Sequence, residues 1–156
     1  MVDEWDIAVR VMGAAAMGAL VGYDRLLADK PAGVRTHMLV AAGAALFVGL
    51  GVLLAEGVED LGTQSARIDV SRIIAGVVTG VGFLGAGAII RRDDGVSGLT
   101  TAAGIWVVAA IGAVVAFGFW GLGLVVTLLV VAIHAISYLE DRLRTRSVAA
   151  DEPVGD

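Results

Sequence analysis

The run from Ile73 to Ile90, IIAGVVTGVGFLGAGAII, limits the fold of this chain more than any other stretch, because it holds no Asp, Glu, Lys or Arg. At about eighteen residues it is just long enough to cross the hydrocarbon core of a bilayer as a helix. Five glycines lie inside it: Gly76, Gly80, Gly82, Gly85 and Gly87. In a water-soluble helix each costs about 1 kcal/mol against alanine. Between membrane helices the same residues let backbones approach, and the spacing of Gly76 and Gly80 sets both on one face. The run ends on Arg91-Arg92-Asp93-Asp94 and a short glycine-containing turn, and a new apolar segment opens at Gly98-Leu99-Thr100-Thr101. A glycine-packed membrane helix is thus expected to deliver a basic turn to the start of another.

Similar apolar runs recur, and composition agrees: 58% hydrophobic residues, 22 glycines and only 17% charged residues. A soluble domain of that balance has too little polar surface to stay dispersed. The expectation is an all-α integral membrane protein, a bundle of five transmembrane helices over about residues 5–23, 36–54, 73–90, 99–117 and 120–139. These make one membrane domain, 1–140, followed by a short polar tail, 141–156, expected to be disordered. The net charge of −5 comes without a basic face, so nucleic acid is not an expected partner. With no cysteine there is neither a disulfide framework nor a zinc–thiolate site. No G-x-S-x-G or H-E-x-x-H pattern is present, and no enzymatic activity is expected. Gly80-x-Gly82-x-x-Gly85 matches the letters of a dinucleotide fingerprint, but inside a membrane span it reads as close helix packing.

The first segment has Trp5 and Tyr23 at its ends, where amphipathic rings favour the membrane interface. Its acidic start, Asp3, Glu4 and Asp6, differs from the basic start of a cleaved signal peptide, so a retained helix is expected. Arg10 is placed to snorkel outward or to pair with Asp6. Gly18-x-x-x-Gly22 offers a further packing face. After Asp29, Pro31 suits the first position of the second helix. An acidic loop follows that helix, and Phe117, Phe119 and Trp120 form an aromatic patch between the last two. The first loop, the third loop and the tail together carry eight basic residues, against three on the other side. By the positive-inside rule the N-terminus is expected outside and the C-terminus in the cytoplasm of a multi-pass cell-membrane protein.

Several motifs resemble the membrane domain of the MgtC/SapB family. They are Pro31-Ala32-Gly33-Val34-Arg35-Thr36-His37, Gly80-Val81-Gly82-Phe83-Leu84-Gly85-Ala86-Gly87, and Gly98-Leu99-Thr100-Thr101-Ala102-Ala103 with Trp106. Gly22-Tyr23-Asp24-Arg25 is similar to that family's G-x-E-R, with aspartate in place of glutamate. Gly76 stands where the family commonly has glutamine, which removes a polar mid-helix contact. The resemblance implies a five-span inner-membrane protein tied to growth at low magnesium and to inhibition of the F-type ATP synthase, a regulator rather than the transporter its older label suggests. Some members carry a further cytoplasmic domain of ACT-like fold. None is expected within these residues, so functions resting on it are not carried over.

On this topology Asp24, Arg25, Arg35, Thr36, His37, Arg91, Arg92, Thr100 and Thr101 share one membrane level, as a site for an anion or a partner's carboxylate. The plainer alternative is that the arginines only enforce topology and touch lipid phosphates while the threonines cap a helix. No cofactor is expected. A magnesium site would need oxygen ligands from Asp24 and Asp29, from Asp93 and Asp94, or from Glu56, Glu59 and Asp60. The competing function, ion transport, usually places ionisable residues at depth, whereas here only Thr79, Thr127 and His134 are polar there, and His134 reads as a packing residue. Expected partners are the bilayer, other membrane proteins including the ATP synthase, and a second copy of the chain, which the glycine faces permit.

Overall fold

In the computed structural model, residues 2–28, 30–60, 69–93 and 95–150 are described, with side chains to residue 136 except those of 59 and 60. Five helices follow one another: α1 (Glu4–Leu27), α2 (Val34–Asp60), α3 (Val70–Gly87), α4 (Leu99–Ala116) and α5 (Trp120–Ala150). A two-stranded antiparallel hairpin, β1 (Ile90–Arg92) and β2 (Gly95–Ser97), joins α3 to α4. Four helices contain stretches long and apolar enough to cross a membrane: Glu4–Leu27, Val34–Val58, Val70–Gly87 and Leu99–Ala116. In α5 the apolar stretch with described side chains is Trp120–Ile136.

Helix ends are set by local chemistry. Asp3 and Asp6 form a reciprocal box at the start of α1: the Asp6 N–H donates to the Asp3 carboxylate at 2.7 Å, and the Asp3 N–H to that of Asp6 at 3.4 Å. At α3 the Asp69 carboxylate accepts from the Ser71 hydroxyl at 2.5 Å and the Ser71 N–H at 3.0 Å. Those two bonds hold its carboxyl below the usual range. Asp69→Ala is therefore expected to lower the melting temperature at neutral pH. The cap's contribution is complete above the unfolded carboxylate value and is lost as pH falls through the lower folded one, so the two melting curves should converge in acid. The start of α4 has no side-chain cap. Gly98 sits at φ 87°, and a Cβ there would strike the carbonyl of Ala88.

The termini depart from expectation in four places. α1 runs past Tyr23 to Leu27, which puts Asp24 and Arg25 inside the helix rather than in a loop. Pro31 lies ahead of α2 instead of opening it, and Ala32 takes a positive φ of 58° to turn the chain. The basic turn after α3 is a hairpin that includes Ile90, so the third apolar helix stops at Gly87. Residues 141–150, expected as disordered tail, continue α5, because polar residues of good helix propensity sustain the backbone ladder beyond the apolar stretch. Arg10 does not pair with Asp6. It donates from Nη1 to the Ala116 carbonyl at 2.6 Å, closing the C-terminal end of α4 with a cation.

α4 is the centre of the bundle, with Val108, Ile111, Val115 and Ala116 fully or almost fully buried. It touches all four other helices. α1 and α2 form a tight antiparallel pair made by two of the three glycines of the first segment. A Cβ on Gly18 would lie 2.6 Å from the His37 carbonyl oxygen, and one on Gly22 would lie 2.5 Å from Cα of Val34. On α3 the expectation of tight packing within the bundle fails for four of five glycines. A Cβ on Gly76, Gly80, Gly82 or Gly87 meets nothing within 4 Å, and only Gly85 touches a neighbour, at 3.4 Å from the Ala102 carbonyl. Within the chain, α3 is held instead by Ile74, Val77 and Val81, whose branched side chains reach α2 and α4 and keep the backbones apart.

Candidate functional site: a buried polar cluster

Four helices bring polar side chains to one buried place. The last turn of α1 supplies Asp24 and Arg25, the second turn of α2 His37, the first turn of α4 Thr101, and the middle of α5 His134. Arg25, His37, Thr101 and His134 are 4%, 0%, 2% and 5% exposed. The Arg25 guanidinium donates from Nη2 to the Thr101 hydroxyl at 2.6 Å. Asp24 Oδ2 lies 3.5 Å from His134 Nδ1, a close polar contact that makes no hydrogen bond.

His37 is fixed by its own backbone. Gly33 begins the α2 ladder, accepting the His37 N–H at 3.2 Å, and the same carbonyl faces His37 Nδ1 at 3.0 Å. A carbonyl only accepts, so Nδ1 carries the proton and Nε2 of the neutral ring presents a lone pair. Beneath the two imidazoles lies Gly104. A Cβ there would be 3.6 Å from His37 Nε2 and 3.5 Å from both Nε2 and Cε1 of His134. The two Nε2 atoms therefore flank one methyl-sized space and are at most about 7 Å apart. Arg25 Nε, His37 Nε2 and His134 Nδ1 have no hydrogen-bond partner although buried. Unpaired buried polar atoms cost about 1–3 kcal/mol each. Magnesium fits poorly, since it demands oxygen ligands in octahedral array and the cluster offers one carboxylate beside a guanidinium.

The nine-residue constellation read from the sequence divides in two. Asp24, Arg25, His37 and Thr101 meet in the cluster, and Thr101 serves Arg25 rather than capping its helix. Arg35, Thr36, Arg91, Arg92 and Thr100 are exposed on the surface. In the hairpin Arg91 pairs across with Val96 and Arg92 with Gly95, so the two arginines emerge on opposite faces. Of the proposed magnesium ligands, Glu56 instead accepts the Val2 N–H at 2.7 Å, and Asp93 is exposed. Asp29 and Asp94 lie outside the described residues, as do the side chains of Glu59 and Asp60. Among the described residues no three His, Cys, Asp or Glu gather closely enough to hold a metal ion. Thr79 and Thr127 return their hydroxyls to their own helices, at 2.8 Å from the carbonyls of Ala75 and Gly123. Sequence reasoning read His134 as a packing residue and did not single out Gly104. The signal was available: both histidines of the chain lie on apolar helices, where a lone imidazole needs a partner.

A helical protein with several membrane-crossing stretches and a charged cluster buried among them belongs to the class of polytopic membrane proteins. The chain matches the MgtC family over residues 11–141 and belongs to that family. It is 45% identical to "Putative magnesium transporter YhiD" of Escherichia coli (strain K12) over 133 residues, 82% of this chain and 60% of that protein. It is 44% identical to protein SrpB of Synechococcus elongatus, covering 80% of this chain and 71% of SrpB. Protein MgtC of Brucella abortus (strain 2308) is 37% identical, with 83% of this chain and 50% of that protein covered. The chain thus spans between half and about seven tenths of these relatives. No solved structure matches it.

Proposed function

We propose that this chain is a regulatory protein of the inner membrane that works by contact, modulating a membrane partner such as the F-type ATP synthase when magnesium is scarce. The observation that supports this is the division of its polar residues: one set locked inside, the other displayed. The cluster ties α1, α2, α4 and α5 together at one end, and that end presents Arg91, Arg92 and Arg35 to the outside of the bundle. Arg25 is interior and acts by holding this end together. Five spans, with the N-terminus outside, put the basic end in the cytoplasm, in keeping with its excess of basic residues.

Ion transport is the second reading, favoured by the name of the Escherichia coli relative. The donor set of the cluster argues against magnesium as its cargo. Two measurements separate the readings. Crosslinking in membranes should capture ATP synthase subunits with the intact chain, and Arg91→Glu with Arg92→Glu should reduce that capture several-fold while leaving helix content unchanged. Purified protein in proteoliposomes should give no saturable magnesium uptake. Uptake that disappears with Arg25→Ala would establish transport instead.

A further inference from the structure

We propose that the groove between α2 and α3 holds one acyl chain of an anionic phospholipid whose headgroup is gripped by Arg35. The groove has a volume of about 550 Å³, and Leu39, Gly43 and Phe47 of α2 face Gly76, Gly80 and Leu84 of α3 across it. A Cβ built on Gly43, Gly76 or Gly80 meets nothing within 4 Å, so the space exists because these positions lack side chains. No polar side chain is among its lining residues, which leaves water without hydrogen-bond partners there.

Its dimensions select the occupant. From Leu39 to Phe47 is about 12 Å along a helix rising 1.5 Å per residue. One leaflet of a ~30 Å hydrocarbon core is about 15 Å deep. These residues occupy the first half of the apolar stretch Val34–Val58, so the groove opens in the leaflet on the side where α2 begins. The space is long and apolar enough to take a hydrocarbon chain.

Charge selects the headgroup. Arg35 stands four residues before Leu39, so the row Arg35, Leu39, Gly43, Phe47 runs down one face of α2, from cation to groove. Arg35 and its neighbour Thr36 are both exposed at this mouth. A guanidinium engages phosphate through two parallel N–H donors, and a basic residue at the membrane surface draws anionic lipid. The cluster of buried histidines plays no part, and the site does not depend on the regulatory reading.

The test is native mass spectrometry of the purified full chain in mild detergent, titrated with phosphatidylglycerol and with phosphatidylcholine of identical acyl chains. One phosphatidylglycerol should bind ahead of all others, about fivefold more tightly than phosphatidylcholine, the effect of one basic residue at a membrane surface. Arg35→Ala should remove that preference, whereas Gly43→Leu, which fills the groove, should weaken both lipids alike. Unchanged preference in Arg35→Ala, or unchanged titrations in a folded Gly43→Leu, overturns the proposal. So does a dimer that Gly43→Leu dissociates, because the groove then belongs to a second copy. Arg35 is a surface residue, so its variant decides the matter even where the groove variant does not fold.

Discussion

Replacing Arg25 with alanine is expected to destabilise the bundle by about 3 kcal/mol, the upper end for a hydrogen bond to a charged group. The guanidinium is almost wholly buried and donates to Thr101 across two helices that are far apart in sequence. Its loss leaves the Thr101 hydroxyl buried without that donor and removes the aliphatic stem packed beneath it. Arg25→Lys should recover only part of this, because an ammonium lacks the planar fork and its reach. Thr101→Val tests the pair from the other side, leaving the charged donor without its acceptor. In a double-mutant cycle the two changes together should cost little more than Arg25→Ala alone. Denaturation in mild detergent, followed by far-UV circular dichroism, supplies the measurement. Strict additivity would show that the bond at 2.6 Å carries no energy of its own.

The second large effect is expected at Gly112. A Cβ there would run into the carbonyl oxygen of Ala41 and come within 3.1 Å of the Ala44 Cβ, so Gly112→Ala forces α4 away from α2. Overpacking of this kind costs about 1–3 kcal/mol, and the obstacle here is backbone, which has little room to give. The better helix propensity of alanine returns up to about 1 kcal/mol and does not reverse the sign. Gly80→Ala is the control, since its Cβ would point into open space; it should leave the stability of the isolated chain unchanged or slightly raised. The same denaturation series measures both. Equal loss in the two variants would contradict the helix arrangement, because it is the crossing of α2 and α4 that makes one glycine indispensable and the other not.

Those two glycines show where sequence reasoning reached its limit. Gly76, Gly80, Gly82 and Gly87 attract attention because they are dense within one segment, yet within this chain no backbone lies against them. Gly112, eight residues from the other glycine of α4, gives no such signal and carries the close crossing. Gly18 and Gly22 were legible, since α1 and α2 are joined by a short turn and must run antiparallel side by side. The candidate site was legible to the same extent. Asp24, Arg25, His37 and Thr101 were grouped by counting spans, because helix ends on one side of a membrane share a level. Which of the nine turn inward depends on rotation about each helix axis, and adjacent residues such as Thr100 and Thr101 differ by about 100°.

The sequence by itself determined the helical character, the approximate spans and the level at which the charges gather. Each of these follows from apolar length and from the need to satisfy backbone hydrogen bonds inside hydrocarbon. Only the tertiary structure decided that α4 is central, that His134 completes the cluster over Gly104, and that α3 stands at the edge with four of its five glycines uncovered. In a helix that is apolar on every side, hydropathy marks no inner face. The choice falls to shape, to which small residue lies opposite which backbone, and that information is not local to any one segment.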